Sequence, residues 1–536
     1  MSEVVLRTRS FARASARDIA PRTFAVAVGV TAAVAATVFG IFIDAWPPHE
    51  DEALALFVGR SSLPHMLHTV IAERGGAPLH FLFAWVVVHL GGGLDALRAV
   101  SVLFAVASIP AIAVLGSQLA DRTVGLVAAV LAGASWVFLF HGIYGRMYSL
   151  FLFTSTLSFV ALLRALERGG RRRFVVWALA LLATLASHPY AGLVFIAQAL
   201  YVFVHGVTRR REAVATIAAV TLLAIPFWWA DIVLRDRMGI GVGGGGARLG
   251  SPTSVGHYLW WVAGDLSVGP HAWLPPVLVL AAIGLVLFAN RRRAVALLTA
   301  CVIAVPAVTL MLARLNWTTS PQSRHLIFVL PFFSTLVAAA LVELGRLRPP
   351  LTAVVAVAAL AALVVGEVRW ADRKTPPLFH GDPVAKQHAR AEAAAWLASA
   401  SRPGDILLGY EPVYLAAWER NRSFSRDALP RADPKLLASA LLSLREPLGR
   451  GVWVFDASDT TNASRRQTIP LTSPQPKRAF DVRAFGPYLV IRSRDALQTP
   501  VRYIAVSERV LRLGRSLGIG DADINLHTLL LAAKEF

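Results

Sequence analysis

The sequence contains a single cysteine, Cys301, and that residue lies inside an apolar run. One cysteine excludes an intramolecular disulfide, so this chain of 536 residues does not depend on cross-links for its fold. Charged residues are also scarce, at 16%, whereas hydrophobic residues make up 56% and the mean hydropathy is +0.56. These proportions exclude an ordinary soluble protein and predict a polytopic membrane protein.

Acidic residues are fewer than basic ones, 33 against 53, which gives a net charge of +20. Such an excess suits nucleic-acid binding in a soluble domain. Here, however, the arginines form short clusters between apolar runs, at Arg171–Arg173, Arg209–Arg211 and Arg291–Arg293. Clusters in that setting are typical of cytoplasmic loops, so they predict membrane topology and no nucleic-acid partner.

The first apolar run, Thr23–Ile43, lacks a small-residue cleavage site and is interpreted as an uncleaved anchor. It is long enough to cross a bilayer core, which needs about 20 residues. Five arginines precede it, at positions 7, 9, 13, 17 and 22. The positive-inside rule therefore places the N-terminal segment 1–23 in the cytoplasm.

The sequence contains twelve apolar runs: 24–43, 78–92, 99–117, 124–141, 147–163, 174–188, 190–206, 213–232, 272–289, 294–313, 325–344 and 350–367. Alternating crossings place every arginine cluster inside and the loops 44–77 and 233–271 outside. The first half needs one more crossing, so we expect a broken or re-entrant run around 124–146 and about 12–13 transmembrane helices. The predicted fold is mainly α, as a multi-pass protein of the cell membrane.

The character of the sequence changes after the membrane region, 24–368. Asp405–Tyr410 and Val452–Asp456 are short apolar runs typical of buried strands, and Ala391–Ala400 is typical of a helix. A length of 369–536 is sufficient for a compact α/β domain. The crossing order predicts that this C-terminal domain is extracytoplasmic.

Acidic residues are concentrated directly after the first apolar run, in His49–Glu52. Carboxylates held at the outer membrane surface can deprotonate a hydroxyl of a substrate. We predict that Asp51 is the general base and that Glu52 positions substrate or tunes its pKa, since adjacent carboxylates repel. The alternative is a pair of solvated loop charges.

Basic and aromatic residues at the outer ends of other runs are candidate phosphate and substrate ligands. The planar forks of Arg146 and Arg324 suit a phosphate, although a headgroup anchor would have the same sequence signature. Tyr148 and His325 lie beside them. His188 separates two apolar runs, which fits a turn as well as a substrate ligand.

Two further patterns imitate known sites. The glycine run 239–246 lacks the lysine of a phosphate-binding loop, so we interpret it as a linker. Asp521 and Asp523 have the spacing of a metal-binding Asp-x-Asp pair, but they lie in the C-terminal tail and fit a solvated turn. No His/Cys cluster has zinc spacing.

Four motifs occur in a recognisable order: Asp51–Glu52, Gly75–Phe81, Gly91–Arg98 and Gly145–Leu150. Their order and spacing resemble the C-type glycosyltransferase superfamily (GT-C), in particular relatives of the protein O-mannosyltransferases and of lipid A aminoarabinose transferase. The resemblance covers about residues 20–350. Within it, His80 lies near the position of a histidine in the second motif. Tyr144 stands where relatives often have an acid, for which Glu73 is the nearest substitute.

The resemblance implies a glycosyltransferase that moves a sugar, mannose-like in the nearest relatives, from a polyprenyl-phosphate carrier. It also implies that transfer occurs with inversion to an extracytoplasmic glycan, lipid or protein acceptor at the membrane. The nearest relatives are usually metal-independent, so the resemblance predicts that no cofactor and no essential metal is needed, with a divalent metal left open.

Two other functions fit the composition. A transporter or flippase of lipid-linked sugars would need ionisable or Gly/Pro-broken positions near the middle of the membrane. The charged motifs lie instead at the outer ends of the runs. A non-catalytic GT-C-like scaffold would bind a partner through its outer domain.

Overall fold

The computed structural model describes residues 18–205, 209–238, 251–312, 322–347, 351–402, 404–425, 427–431, 433–457 and 479–536. The first stretch is a series of helices joined by short turns: α1 (Pro21–Phe42), α2 (Glu50–Gly59), α3 (Leu63–His68), α4 (Pro78–His89), α5 (Leu94–Leu119), α6 (Arg122–Ala134), α7 (Trp136–Ile143), α8 (Tyr148–Arg168), α9 (Arg171–Ser187) and α10 (Ala191–His205). A π-helical turn, Thr69–Glu73, follows α3.

The remaining membrane region is also helical: α11 (Arg210–Leu223), α12 (Ile225–Met238), α13 (Pro252–Asp265), α14 (Leu274–Arg291), α15 (Arg293–Leu312), a 3₁₀ turn (Ser323–Val329), α16 (Leu330–Leu347) and α17 (Leu351–Lys374). By length and composition, 7 continuous helical segments of the described chain can cross a membrane, or 9 if two bent pairs are included. The runs 78–92, 174–188 and 190–206 form the shorter helices α4, α9 and α10. The predicted multi-pass, mainly α architecture is therefore confirmed.

Both bent pairs have a local chemical cause. α6 and α7 meet at 63°, inside the stretch 124–146 where the sequence predicts an interruption. Ser135 is extended there, and its hydroxyl donates to the Ala132 carbonyl at 2.8 Å, which competes with helix continuation. α11 and α12 meet at 57° around Ala224. Pro226 cannot donate to the preceding turn, and this second break was not predicted.

The basic clusters gather at one end of the bundle. Arg291 at the end of α14 pairs with Glu343 of α16 at 2.5 Å, and Arg346 pairs with Asp121 between α5 and α6 at 2.9 Å. The guanidinium of Arg209 packs against the turn that joins α8 to α9. All three arginine clusters therefore share the end that the sequence predicts to be cytoplasmic.

Cysteine labelling tests which side of the membrane each end faces. In a Cys301→Ser background, we expect Ser443→Cys in the C-terminal domain to react with a membrane-impermeant thiol reagent on intact cells. Arg210→Cys should react only after lysis, because positive clusters remain in the cytoplasm. Both positions are exposed in the structure. The reverse labelling pattern would contradict the predicted orientation.

The chain beyond α17 forms the predicted α/β domain. Its elements are α18 (Pro377–His380), α19 (Val384–Ala400), β1 (Ile406–Leu408), α20 (Pro412–Arg420), β2 (Asp427–Leu429), α21 (Pro434–Ser443), β3 (Gly451–Asp456), β4 (Phe480–Phe485), β5 (Tyr488–Ser493), α22 (Pro500–Ser516) and α23 (Gly520–Ala532). The strand order is β2-β1-β3-β5-β4. β1 pairs in parallel with β2 and β3, whereas β5 is antiparallel to β3 and β4.

The two faces of this sheet have different partners. Alternate residues such as Trp453 and Phe455 belong to the core formed with α21, α22 and α23. Val452 and Val454 belong to a core that continues through α19 and α20 into α2 and α4 of the membrane region. Arg60 at the end of α2 donates to the carbonyl of Phe424 at 2.8 Å. The C-terminal domain therefore packs on the helix that carries Asp51.

Candidate active site

Asp51 lies in the first turn of α2, and its neighbours fix the start of that helix. The Asp51 backbone N–H donates to Nδ1 of His49 at 3.1 Å, while the Glu52 carboxylate accepts from the His49 backbone N–H at 3.0 Å. This reciprocal arrangement is a capping box. Because these two hydrogen bonds fix the backbone of the first helical turn, they also fix the direction in which the Asp51 side chain leaves the helix.

The Asp51 carboxylate faces the segment that joins α7 to α8. The Tyr144 hydroxyl donates to its Oδ2 at 2.9 Å, and Arg146 Nη1 lies 3.6 Å from its Oδ1. Arg146 also donates to the Asp51 backbone carbonyl at 3.1 Å. With 30% of its side chain exposed, Asp51 remains accessible to a ligand. Tyr144, which replaces an acid of the resembled family, is thus a direct partner of the candidate base.

The charges around Asp51 determine its protonation. Burial raises the pKa of Asp51, but the nearby positive charges, Arg146 foremost, outweigh burial and hold that pKa well below its usual range. Burial also lowers the pKa of Arg146, but the Asp51 carboxylate, together with Tyr148 and Tyr144, outweighs burial and raises that pKa above its usual range. Asp51 is therefore ionised at neutral pH. It becomes a stronger base when an anion neutralises the charge of Arg146.

Glu52 points away from Asp51 into a fully buried network. Its carboxylate accepts two bonds from Arg98, at 2.9 and 2.8 Å, and one from the Gly145 backbone N–H at 2.8 Å. Arg98 is 1% exposed and also donates to the carbonyls of Ile43, Trp46 and Pro47. This ion pair joins α2, α5 and the α7–α8 segment, so it fixes the position of α2, which carries Asp51, relative to the segment that carries Arg146.

Two arginines and a tyrosine form the next layer of the site. The Arg324 guanidinium lies 5.0 Å from the centre of the Tyr148 ring, a cation–π contact that keeps the charge in place. Within the described chain, the buried Nε atoms of Arg146 and Arg324 have no hydrogen-bond partner. Buried donors are normally paired, so an unpartnered pair of guanidinium N–H groups indicates a position for an anion.

Histidines line the same space. His188 lies 5.5 Å from Tyr148 and 5.6 Å from His325, measured between ring centres. His325 stacks on Tyr190 at 4.6 Å. His188 is 2% exposed, and its Nε2 atom finds no partner among the described residues. The residues predicted separately at the ends of different spans therefore come together in one cluster.

Asp265, which was not among the predicted site residues, anchors the segment that carries Arg324. Asp265, at the end of α13 and 1% exposed, accepts hydrogen bonds from Ser323, Lys374 and the Trp370 indole, the last at 3.1 Å. α17 accordingly continues to Lys374, beyond the predicted end of its apolar run at residue 367. Its last turn anchors the Arg324 segment through Asp265.

The other two candidates occupy different positions. His80 is 4% exposed and lines a small cavity with Arg146 and Ser101, so it belongs to the cluster. Glu73 pairs with His68 at 3.3 Å. None of the hydrogen bonds or ion pairs between described residues joins Glu73 to Asp51, and Tyr144 fills the position for which Glu73 was considered.

The C-terminal domain also contacts the base-carrying helix through charge. Arg431 pairs with Glu50, next to Asp51, at 2.5 Å, and it also pairs with Glu411. Asp521 joins this network at 3.5 Å from Arg431, whereas Asp523 lies 3.5 Å from Arg515. The two aspartates of the Asp-x-Asp pattern therefore pair with two different arginines.

The described residues contain no group of three or more His, Cys, Asp and Glu side chains placed to hold a metal ion. The glycine run 239–246 lies outside the described residues. The absence of a metal requirement stays a prediction.

Comparisons with known proteins identify the fold. No family model and no curated protein matches this sequence. Among solved structures, ArnT from Cupriavidus metallidurans bound to undecaprenyl phosphate matches with a TM-score of 0.55 and 16% identity, over 88% of this chain and 98% of that one.

Two other structures share the fold at lower coverage of their own length. The archaeal oligosaccharyltransferase AglB from Archaeoglobus fulgidus, in complex with an inhibitory peptide and a dolichol-phosphate, matches with a TM-score of 0.52, 11% identity and coverage of 81% and 69%. The arabinofuranosyltransferase AftD from Mycobacteria matches with a TM-score of 0.50 and 15% identity, over 81% of this chain and 35% of that one. The predicted GT-C fold is confirmed.

Proposed function

We propose that this chain is a membrane glycosyltransferase that transfers a hexose or pentose from a polyprenyl-phosphate carrier to an extracytoplasmic hydroxyl, with Asp51 as general base. The observation that carries the proposal is the contact of Asp51 with Arg146, in a cluster whose two buried guanidinium groups have unpartnered Nε atoms. A carboxylate for the acceptor and cations for a phosphate are the two chemical requirements of this transfer.

The similar structures support the class of donor. ArnT was solved with undecaprenyl phosphate and AglB with a dolichol-phosphate, both of which are polyprenyl-type phosphates. The fold similarity extends over more than four fifths of this chain in both cases. We therefore infer a lipid carrier of the same chemical class. A mannose-like sugar, predicted from the sequence, is the first donor sugar to test in the assay.

In the proposed reaction the acceptor hydroxyl gives its proton to Asp51 and its oxygen attacks the anomeric carbon of the donor. The bond from that carbon to the phosphate oxygen breaks, and the electron pair leaves with the phosphate. Arg146 and Arg324 stabilise the additional negative charge through charge-assisted hydrogen bonds. Attack from the face opposite the leaving phosphate inverts the anomeric configuration.

Binding of the donor prepares the base. In the unliganded site the charge of Arg146 holds the pKa of Asp51 low, which weakens it as a proton acceptor. A phosphate bound to the same guanidinium offsets that charge, so the pKa of Asp51 rises. The donor therefore activates the base for the acceptor.

Envelope glycan analysis tests the proposal. We expect a deletion strain to lack one envelope sugar modification by mass spectrometry and to accumulate the unmodified acceptor, because the proposed reaction is the step that adds that sugar. Wild-type protein should restore the modification, and Asp51→Asn at equal membrane abundance should not. Restoration by Asp51→Asn would instead support the non-catalytic scaffold. Loss of the lipid-linked sugar from the outer leaflet would support the flippase.

A further inference from the structure

A second basic site lies at the opposite end of α8 from the candidate active site. α8 runs from Tyr148 to Arg168, a rise of about 30 Å, which equals the thickness of a bilayer hydrocarbon core. Between the end of α8, the start of α9 and α5 lies a cavity of about 860 Å³. Five arginines line it, at positions 164, 168, 171, 172 and 173.

The charge in this cavity is not neutralised by its own lining, which contains no acidic residue. Arg168 has a weak contact with Glu167 at 3.8 Å, and Arg173 donates to the Gly169 carbonyl at 2.8 Å. Within the described chain, the exposed side chains of Arg164 and Arg172 form no ion pair or side-chain hydrogen bond. By contrast, Arg291 of the neighbouring cluster is paired with a carboxylate.

The start of α9 adds a second, independent reason for an anion here. Its first turn contains three arginines and no acidic residue. The N-terminal end of a helix carries partial positive charge, so cations there destabilise the helix and an anion stabilises it. Two consecutive glycines with positive φ, Gly169 and Gly170, turn the chain tightly and hold this helix start against the end of α8.

Apart from Ser117 and Gln118 of α5, most of the remaining cavity wall is apolar. On α8 its lining extends from Leu157 to Arg168, about 16 Å along the helix, with Val160 and Ala161 between them. Val176 and Ala180 of α9 continue the apolar wall. The apolar part of the cavity therefore reaches about the middle of a bilayer, as an acyl chain does, and the arginines lie at the membrane surface, where the headgroup of that leaflet lies.

We propose that this cavity binds an anionic phospholipid, with the phosphate among the arginines and an acyl chain along the apolar wall. Basic pockets between helix ends on the cytoplasmic side suit such headgroups. The site is separate from the candidate active site, so the proposal does not depend on the proposed function and its test needs no transfer assay.

Lipid titration of the purified, delipidated full-length protein tests the proposal by native mass spectrometry. Phosphatidylglycerol and phosphatidylcholine with the same acyl chains are the two probes. We expect wild type to prefer phosphatidylglycerol, and the double variant Arg164→Gln with Arg172→Gln to bind it about thirtyfold more weakly. The control, Arg210→Gln with Arg211→Gln, removes the same charge from exposed positions that do not line the cavity, at the same end of the bundle, and should bind as wild type does.

A cavity-filling variant separates a lipid from a free phosphate. Ala180→Trp leaves the arginines unchanged and occupies the apolar wall, so phosphatidylglycerol binding should fall while inorganic phosphate protects the protein against heating as in wild type. Equal binding of the two lipids by wild type would overturn the proposal. Equal losses in the test and control double variants would do so too, because the arginines would then be general membrane anchors.

Discussion

Asp51→Asn is expected to abolish sugar transfer, with a fall in kcat of about 10²–10⁴-fold. Asparagine has nearly the same size and still accepts a hydrogen bond from the Tyr144 hydroxyl, which now lies 2.9 Å from Oδ2. It cannot accept a proton from the acceptor hydroxyl. Transfer by the purified variant, measured with a polyprenyl-phosphate sugar and normalised to folded protein, gives the loss. Turnover within a few-fold of wild type would remove Asp51 from the role of base.

Glu52→Gln is the matched control for this prediction, because it makes the same chemical change one residue further along. Glu52 is fully buried and its carboxylate neutralises Arg98. Removing one partner of a buried ion pair typically costs about 3–5 kcal/mol of stability. We expect Glu52→Gln to lower the melting temperature and the yield of folded protein more than Asp51→Asn does, because the Asp51 carboxylate is 30% exposed and lies 3.6 Å from Arg146. A stable but inactive Glu52→Gln protein would instead place that carboxylate on the substrate.

The membrane architecture could be predicted from the sequence because apolar run length reports directly on helices that cross a bilayer. The interruption near 124–146 was inferred from crossing parity, and Ser135 supplies its physical cause. The break at Ala224 was missed, since the apolar run continues through Pro226 without a change in composition. Hydropathy records burial in lipid and is insensitive to a change in helix direction.

The candidate site was only partly predictable for a related reason. Motif order placed Asp51 and Arg146 at the same membrane surface, but contact between them depends on how α2 packs on the α7–α8 segment. The support from Asp265 could not be inferred, because its partners Trp370 and Lys374 are 105 and 109 residues away. In the sequence, a buried acid whose partners lie so far along the chain cannot be distinguished from an exposed acid in a loop.

The role of Arg98 could not be predicted from the sequence, although the residue belongs to one of the four motifs. It closes the second glycine-rich motif, and its position alone gave no reason to connect it with Glu52, 46 residues earlier. In the structure one guanidinium contacts both carboxylate oxygens of Glu52 and three backbone carbonyls. The adjacent acids of the Asp51–Glu52 pair thus divide their tasks, one exposed to ligand and one holding the framework.

Arg146→Ala is expected to lower kcat/KM for the lipid-linked donor by about 10²–10³-fold, the loss typical of removing one preorganised donor to a developing oxyanion. Arg146→Lys should restore part of it, since the ammonium keeps the charge and loses the fork. Arg324→Ala should act in the same direction, and Arg210→Ala, at the other end of the bundle, is the control. Wild-type kinetics in both site variants would assign the phosphate to other cations.

The pH profile of the Arg146→Ala enzyme tests whether Asp51 is the group that must be ionised for the reaction. A general base must be deprotonated, so activity falls as the pH drops through its pKa. In wild type the pKa of Asp51 is held low, chiefly by Arg146, and the acidic limb of kcat/KM should lie below the usual aspartate range. Removing Arg146 takes away the largest charge that lowers this pKa, so the limb should move to higher pH. Arg324→Ala should move it less, because the charge of Arg324 has the smaller influence on Asp51. An acidic limb that stays in place in Arg146→Ala would mean that the group titrating in the reaction is not Asp51.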